Sequence, residues 1–121
     1  MTDNSRDKSQ HYDLTYLEEL SAGDPSFVKS ILTQFISEAP DVIIKIKTSA
    51  LEKNWYELNY QMHKFATNLA FVGLNDIKDE LNKVEIFSKN KTNLDEIPHL
   101  VNIILQRCEL AIISLKKDFE L

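Results

Sequence analysis

The sequence predicts an all-α protein, an antiparallel up-down-up-down four-helix bundle with a short extra N-terminal helix. Three observations predict this fold. Glycine and proline are scarce, at two and three of 121 residues, which disfavours a turn-rich all-β domain. Apolar residues recur at alternating spacings of three and four over several long stretches, as in amphipathic helices. Short polar segments separate the stretches, and short connections make neighbouring helices antiparallel.

Length and composition indicate one domain with a single modest core. Hydrophobic residues make up 43% and charged residues 27% of the chain, which is typical of soluble globular proteins. The net charge is −5, and basic residues are interspersed with acidic ones, which disfavours a nucleic-acid surface. No uninterrupted apolar run approaches the roughly 18 residues of a membrane span. We therefore expect a cytoplasmic protein with a protein partner and without a nucleic-acid or membrane partner. We expect a monomer, because the apolar stripes of four helices can cover one another within a single bundle.

The N-terminal residues 1–11 are polar and lack periodicity, which predicts a disordered leader before a helical domain over 12–121. The next apolar positions mark a short amphipathic helix: Leu14, Leu17 and Leu20. Gly23 ends this helix, which is too short to be stable alone. We expect it to lie across one end of the bundle.

Asp24 and Pro25 begin the first long helix, because aspartate caps a free backbone N–H and proline fits the first turn. We expect this helix to continue to about Lys53. Its expected inward positions are Phe27, Ile31, Phe35, Val42 and Ile46. Pro40 interrupts the pattern, which predicts a kink near 37–40, the alternative being a break into two helices.

The next helix runs from about Trp55 to Val72 and carries the candidate functional residue, His63. Its apolar stripe is expected to face the core: Trp55, Leu58, Met62, Phe65, Leu69 and Val72. His63 lies about 120° from the centre of this stripe, so its imidazole is expected to meet solvent. The residues one and two turns further on are small and leave the ring open to a large partner: Ala66, Thr67 and Ala70.

Two further helices complete the predicted bundle. One runs from Asn75 to about Ser88, and the other follows the loop KNKTN and the residues Asp95 and Pro98. The inward positions of the last helix are Val101, Ile104, Cys108, Ala111, Ile112 and Leu115. Cys108 is the single cysteine, so we expect a reduced core residue rather than a disulfide or a multi-cysteine metal site.

The segment that begins at His63 resembles the signature of histidine-containing phosphotransfer (HPt) domains, which typically reads HxLKGSSxxLGx. The likeness comprises the histidine, apolar Phe65, the small residues that follow, and apolar Val72 before Gly73 and Leu74.

The resemblance extends from about Leu14 to about Leu115 and includes the segments GDPSFV, SEAP, NW and ELNKVE. The family usually has a lysine three residues after the histidine and a glycine four after. This chain has Ala66 and Thr67 at those positions.

The resemblance implies that His63 is a phosphoacceptor in a multistep two-component phosphorelay. It would accept a phosphoryl group from a receiver-domain aspartate and pass it to another receiver. Neutral imidazole has a nitrogen lone pair and needs no separate base to attack phosphorus. The implied partners are response-regulator receiver domains and a hybrid histidine kinase. The receiver would supply Mg²⁺, so we expect no cofactor, metal site or independent catalytic activity in this chain.

Lys64 and Thr67 are candidate phosphate-supporting residues in place of the family's lysine. Lys64 points about 100° away from His63 and reaches it only by bending back; the alternative is a solvated lysine. Thr67 lies one turn further on, where its hydroxyl could donate to a phosphoryl oxygen; the alternative is a bond to its own preceding turn.

Four residues are candidates for partner docking: Asn59, Ala66, Ala70 and Phe71. The first three share the helix face of His63. Phe71 borders that face, and two interpretations apply to it. Either the short first helix covers Phe71, or its ring belongs to an exposed apolar patch that docks a receiver.

Two other functions are compatible with the sequence. One is an HPt-like module that binds and regulates receiver or kinase domains without carrying phosphate, which Ala66 favours. The other is a structural bundle in which His63 is an ordinary surface histidine and the motif is accidental. His11 and His99 are expected to be surface histidines, since the glutamate–histidine pairs of di-iron bundles are missing.

Overall fold

The computed structural model describes residues 11–121, so the predicted leader lies outside the described residues except for His11. Over that range the protein is all-helical, which confirms the all-α part of the predicted fold class. The helices are α1 (Thr15–Leu20), α2 (Pro25–Leu51), α3 (Trp55–Phe71), α4 (Lys78–Asn90) and α5 (Ile97–Phe119). Single 3₁₀ turns, Asn75–Ile77 and Leu94–Glu96, lead into α4 and α5.

The long helices contact one another in a ring. α2 packs against α3 and α5, and α4 packs against the same two helices. Apolar side chains fill the space between them; Phe35 of α2 and Phe65 of α3, for example, stack with ring centroids 6.3 Å apart. The fold is therefore bundle-like, with α3 and α4 on one side of the ring and α2 and α5 on the other.

α2 is one continuous helix across Pro40, so the alternative of a break into two helices is wrong. Pro40 is exposed, which leaves its ring on the solvent side of the helix. Asp24 caps the helix as predicted, and its Oδ1 accepts from the Ser26 N–H at 3.0 Å. The helix ends at Leu51 rather than Lys53, because Lys53 has a φ of 58° and cannot continue a right-handed helix.

One predicted core position of α2 is wrong. Phe27 is 44% exposed, whereas the adjacent Val28 is buried at 3%. The spacing of Val28, Leu32 and Phe35 sets the core face, and Phe27 falls to one side of it.

The segment before α1 is tied to the C-terminal end of α3. The Asp13 N–H donates to the Val72 carbonyl at 3.0 Å, and Tyr16 stacks on Phe71 at 6.0 Å. Gly73 makes this approach possible, because its φ is 73° and a Cβ there would overlap the Asp13 backbone. α1 thus packs over this end of α3. The side chains of Leu14, directly before α1, and Leu17, within α1, are fully buried.

Among the described residues 11–121, one stretch, Leu94–Phe119, is long and apolar enough to cross a membrane by length and composition alone. Core helices of soluble proteins meet the same criteria. Here its apolar face, which includes Ile104, Cys108 and Leu115, is buried against the other helices.

Candidate functional site

His63 lies on α3 with 81% of its side chain exposed, as its position on the helix predicted. Its direction follows from the opposite face of the helix, where Leu58, Met62 and Phe65 are buried. The Asn54 side chain fixes the beginning of α3 by accepting from the Glu57 N–H at 3.2 Å. The imidazole therefore stands on a rigid helix and not on a loop.

The contact that defines the site comes from α4. His63 Nδ1 lies 3.0 Å from Glu85 Oε1, and Glu85 is only 25% exposed. An ionised carboxylate accepts hydrogen bonds and donates none, so this contact is a hydrogen bond when the imidazole carries a proton on Nδ1. In neutral His63 the lone pair is then on Nε2, the outer ring nitrogen, which makes no hydrogen bond to the described residues 11–121.

The position of Glu85 opposite His63 is fixed by Asn59, one turn before His63 on α3. The Asn59 amide donates to the Glu85 carbonyl at 2.8 Å and to Ser88 Oγ at 3.3 Å. Ser88 in turn donates to the Val84 carbonyl at 2.6 Å. Asn59 thus locks α3 and α4 in an antiparallel register, a different role from the predicted docking contact, which stays a prediction.

Both candidate phosphate-supporting residues are exposed. Neither Lys64 nor Thr67 has a hydrogen-bond or ion-pair partner within residues 11–121. Thr67 differs in this respect from Thr33, whose hydroxyl donates to the Lys29 carbonyl at 2.7 Å. The Thr67 hydroxyl is therefore available to a group placed near His63.

Ala66 and Ala70 line a groove of about 330 Å³ between α3 and α4, which begins one turn beyond His63. Leu69, Leu74 and Leu81 form its inner part, and the polar residues Asn75, Lys78 and Asn82 also line it. The small side chains of Ala66 and Ala70 keep the α3 side of the groove open. That small residues leave the His63 ring open to a large partner stays a prediction. Their docking role remains a prediction.

Phe71 is half-buried, and the ring of Tyr16 from α1 stacks on it with an interplanar angle of 19°. Of the two interpretations, the structure favours coverage by the short first helix. The free edge of Phe71 lines a small groove of about 160 Å³ that also includes Ile31 and Glu38 of α2.

Sequence reasoning missed Glu85, the residue in closest polar contact with His63. Its local signal is that of a charged residue on a solvated helix face within ELNKVE. It also missed Tyr60, a half-exposed ring one turn before His63, and Asn82 on the far wall of the groove. The pairing of α3 with α4 brings Glu85 and Asn82 to the surface that carries His63, whereas Tyr60 lies on α3 itself.

Within residues 11–121 no group of three or more histidine, cysteine, aspartate or glutamate side chains could hold a metal ion. Comparisons of the chain with protein-family models, with curated proteins and with solved structures found no match.

Proposed function

We propose that this chain is an HPt-like phosphorelay intermediate. It would adopt the up-down-up-down four-helix bundle of that family, carry a phosphoryl group on His63, and exchange it with receiver-domain aspartates. Its partners would be response-regulator receivers and a hybrid histidine kinase in the cytoplasm.

One observation supports this proposal most directly: an exposed histidine whose inner nitrogen is held by a carboxylate. The 3.0 Å contact between His63 Nδ1 and Glu85 would leave Nε2 as the nucleophile. The small residues Ala66 and Ala70 next to it leave room for the active-site loops of a receiver.

The transfer step needs no base from this chain, because no proton has to be removed from the attacking nitrogen. The Nε2 lone pair attacks phosphorus of the aspartyl phosphate, an N–P bond forms, and the bond from phosphorus to the carboxylate oxygen breaks. The aspartate leaves as a carboxylate, and Nδ1 keeps its proton. The imidazole ring then carries a positive charge, and the negative charge of Glu85 beside Nδ1 stabilises it.

Mg²⁺ and the acidic pocket would come from the receiver, as in phosphoryl transfer generally, where a metal neutralises the developing charge. This chain would hold His63 in place on a helix and supply the Glu85 carboxylate beside it. Thr67, whose hydroxyl is available, would donate to a phosphoryl oxygen as a substitute for the family's lysine, whose position Ala66 occupies.

The test is incubation of the purified chain with receiver domains phosphorylated on aspartate, followed by detection of acid-labile, base-stable label. We expect label on the wild type and none on His63→Gln. His99→Gln is the matched control, since His99 is also exposed but lies at the beginning of α5. It should be labelled like the wild type.

If receivers that phosphorylate another HPt protein leave this chain unlabelled, phosphotransfer is refuted. Binding of those receivers by the unlabelled chain would then support the second candidate, an HPt-like module that regulates receivers or kinases without carrying phosphate. The observation that favours this candidate is Ala66 in place of the family's lysine.

A further inference from the structure

Phosphorylation of His63 on Nε2 would leave a charged ring beside Glu85. With the phosphoryl group on Nε2 and a proton on Nδ1, the imidazole is a cation, and Glu85 Oε1 lies 3.0 Å from Nδ1. Glu85 is only 25% exposed, so water screens this charge pair in part. The carboxylate therefore acts on the phosphorylated ring for as long as the phosphoryl group stays there.

The Glu85 carboxylate has no competing partner. Within residues 11–121 its side chain makes no hydrogen bond or ion pair other than the contact with His63. The backbone of Glu85 is fixed separately, since its carbonyl accepts from the Asn59 amide at 2.8 Å. The negative charge is thus held against Nδ1 and is not shared with a lysine or an arginine.

Three other titratable groups lie around this contact on the two helices. Lys64 follows His63 on α3, Tyr60 lies one turn before His63, and Lys89 lies one turn after Glu85 on α4. All three side chains are exposed, and none makes a hydrogen bond or ion pair within the described part of the chain. α2 packs against the buried side of α3. Water screens the lysines, so the carboxylate in contact with Nδ1 dominates the charge there.

The proton on Nδ1 decides how readily the N–P bond of a phosphohistidine breaks. When Nδ1 carries a proton, the electron pair of the breaking bond returns to Nε2 and the ring leaves as neutral imidazole. Without that proton the ring would leave as an anion, which is far less stable. A group that keeps the proton on Nδ1 therefore shortens the lifetime of the phosphoryl group.

We infer that Glu85 sets the lifetime of the phosphoryl group on His63 by retaining the Nδ1 proton at neutral and mildly alkaline pH. In hydrolysis, water attacks phosphorus, the N–P bond breaks, its electron pair returns to Nε2, and the water gives one proton to the released phosphate. In transfer, an aspartate oxygen of a receiver attacks instead. The chain is thus a short-lived carrier and not a store, an inference that rests on the proposed phosphorylation of His63 by receivers.

The test uses phosphoramidate, a small phosphoryl donor that phosphorylates exposed histidines without a receiver. ³¹P NMR then follows the loss of phosphate from each labelled histidine between about pH 5 and pH 10, a range that spans the titration of a histidine ring. His99 provides a reference within the same molecule. It is exposed on α5 and makes no hydrogen bond or ion pair within residues 11–121.

Glu85→Gln is the informative variant, because glutamine keeps an oxygen that accepts from Nδ1–H but carries no charge. The pH at which loss of phosphate slows to half its acid rate should be about 0.5 to 0.7 units lower in Glu85→Gln, which is a three- to fivefold weaker preference for the protonated ring. The wild type should therefore lose phosphate faster at alkaline pH. In acid, where both rings are protonated, it should be no faster, because the ion pair stabilises the ring before the bond breaks. Phospho-His99 should behave alike in both proteins.

Identical pH profiles of phospho-His63 in the wild type and Glu85→Gln overturn the inference, as does a wild type that keeps its phosphate longer at alkaline pH. Phosphorylation of His99 but not of His63 also overturns it, since Nε2 of His63 is then not accessible. Thermal unfolding confirms that Glu85→Gln is folded. Receivers that fail to label a chain whose phospho-His63 shows the expected profile would refute the proposed function alone.

Discussion

Replacement of Glu85 by alanine should slow the phosphorylation of His63 by about five-fold. Without the carboxylate, Nδ1 loses its acceptor, and the proton is no longer confined to the inner nitrogen. A fraction of the imidazole then carries its proton on Nε2, where it blocks the nucleophile. The positive charge that develops on the ring during transfer also loses its counter-charge.

The magnitude follows from the exposure of the two side chains. A hydrogen bond to a charged group contributes about 1.5 to 3 kcal/mol when shielded from water. His63 is 81% exposed and Glu85 25% exposed, so solvent screening reduces the contribution to about 1 kcal/mol. In a rate constant this corresponds to about a factor of five.

The assay is single-turnover transfer from an excess of phosphorylated receiver, with label on this chain followed over time. Glu85→Gln retains an oxygen that accepts from Nδ1–H but has no charge, so its rate should lie between wild type and Glu85→Ala. Glu96→Ala is the matched control, since Glu96 is exposed before α5. ¹⁵N NMR of the imidazole should show the proton on Nδ1 in the wild type.

The proposed role of Glu85 is refuted if Glu85→Ala transfers phosphate within a factor of two of the wild-type rate while its thermal unfolding is unchanged. It is refuted equally if NMR places the proton of neutral His63 on Nε2. A rate loss in Glu85→Ala with full rescue in Glu85→Gln would assign the effect to proton position alone and exclude the electrostatic part.

Three further predictions concern the scaffold. Gly73→Ala should lower the free energy of unfolding by at least about 2 kcal/mol, because a φ of 73° is strained for alanine and the new Cβ would overlap the Asp13 backbone. Gly23→Ala is the control: its φ is 79° but the space around it is open, so the free energy of unfolding should fall by about 1 kcal/mol. Urea titrations measure both values. Asn59→Ala should lower the free energy of unfolding by about 1 to 2 kcal/mol, because the two hydrogen bonds of the Asn59 amide are lost, while His63 is still phosphorylated. Loss of receiver binding at unchanged stability would instead support a docking role for Asn59. Burial raises the pKa of the Cys108 thiol to about 12, so it should not react with a thiol reagent near pH 8 until denaturant is added; rapid reaction of the folded protein would contradict this burial.

The sequence by itself determined the helices and the exposure of His63. Both depend on local spacing, since a side chain at a given position points about 100° away from the next one along any helix. The stripe that includes Met62 and Phe65 predicted which face of α3 is buried, and the structure confirms it. Asp24 with Pro25 likewise predicted the beginning of α2, because capping involves only adjacent residues.

Only the tertiary structure decided what His63 contacts and which apolar side chains stay in water. Glu85 comes from a different helix, and its position opposite His63 depends on the register that the Asn59 bonds impose. Phe27 follows the apolar pattern of the first long helix in the sequence but remains exposed. The physical reason is that periodicity gives the direction of a side chain from its own helix axis. The distance to a neighbouring helix and the register against it arise from packing between segments far apart in the chain.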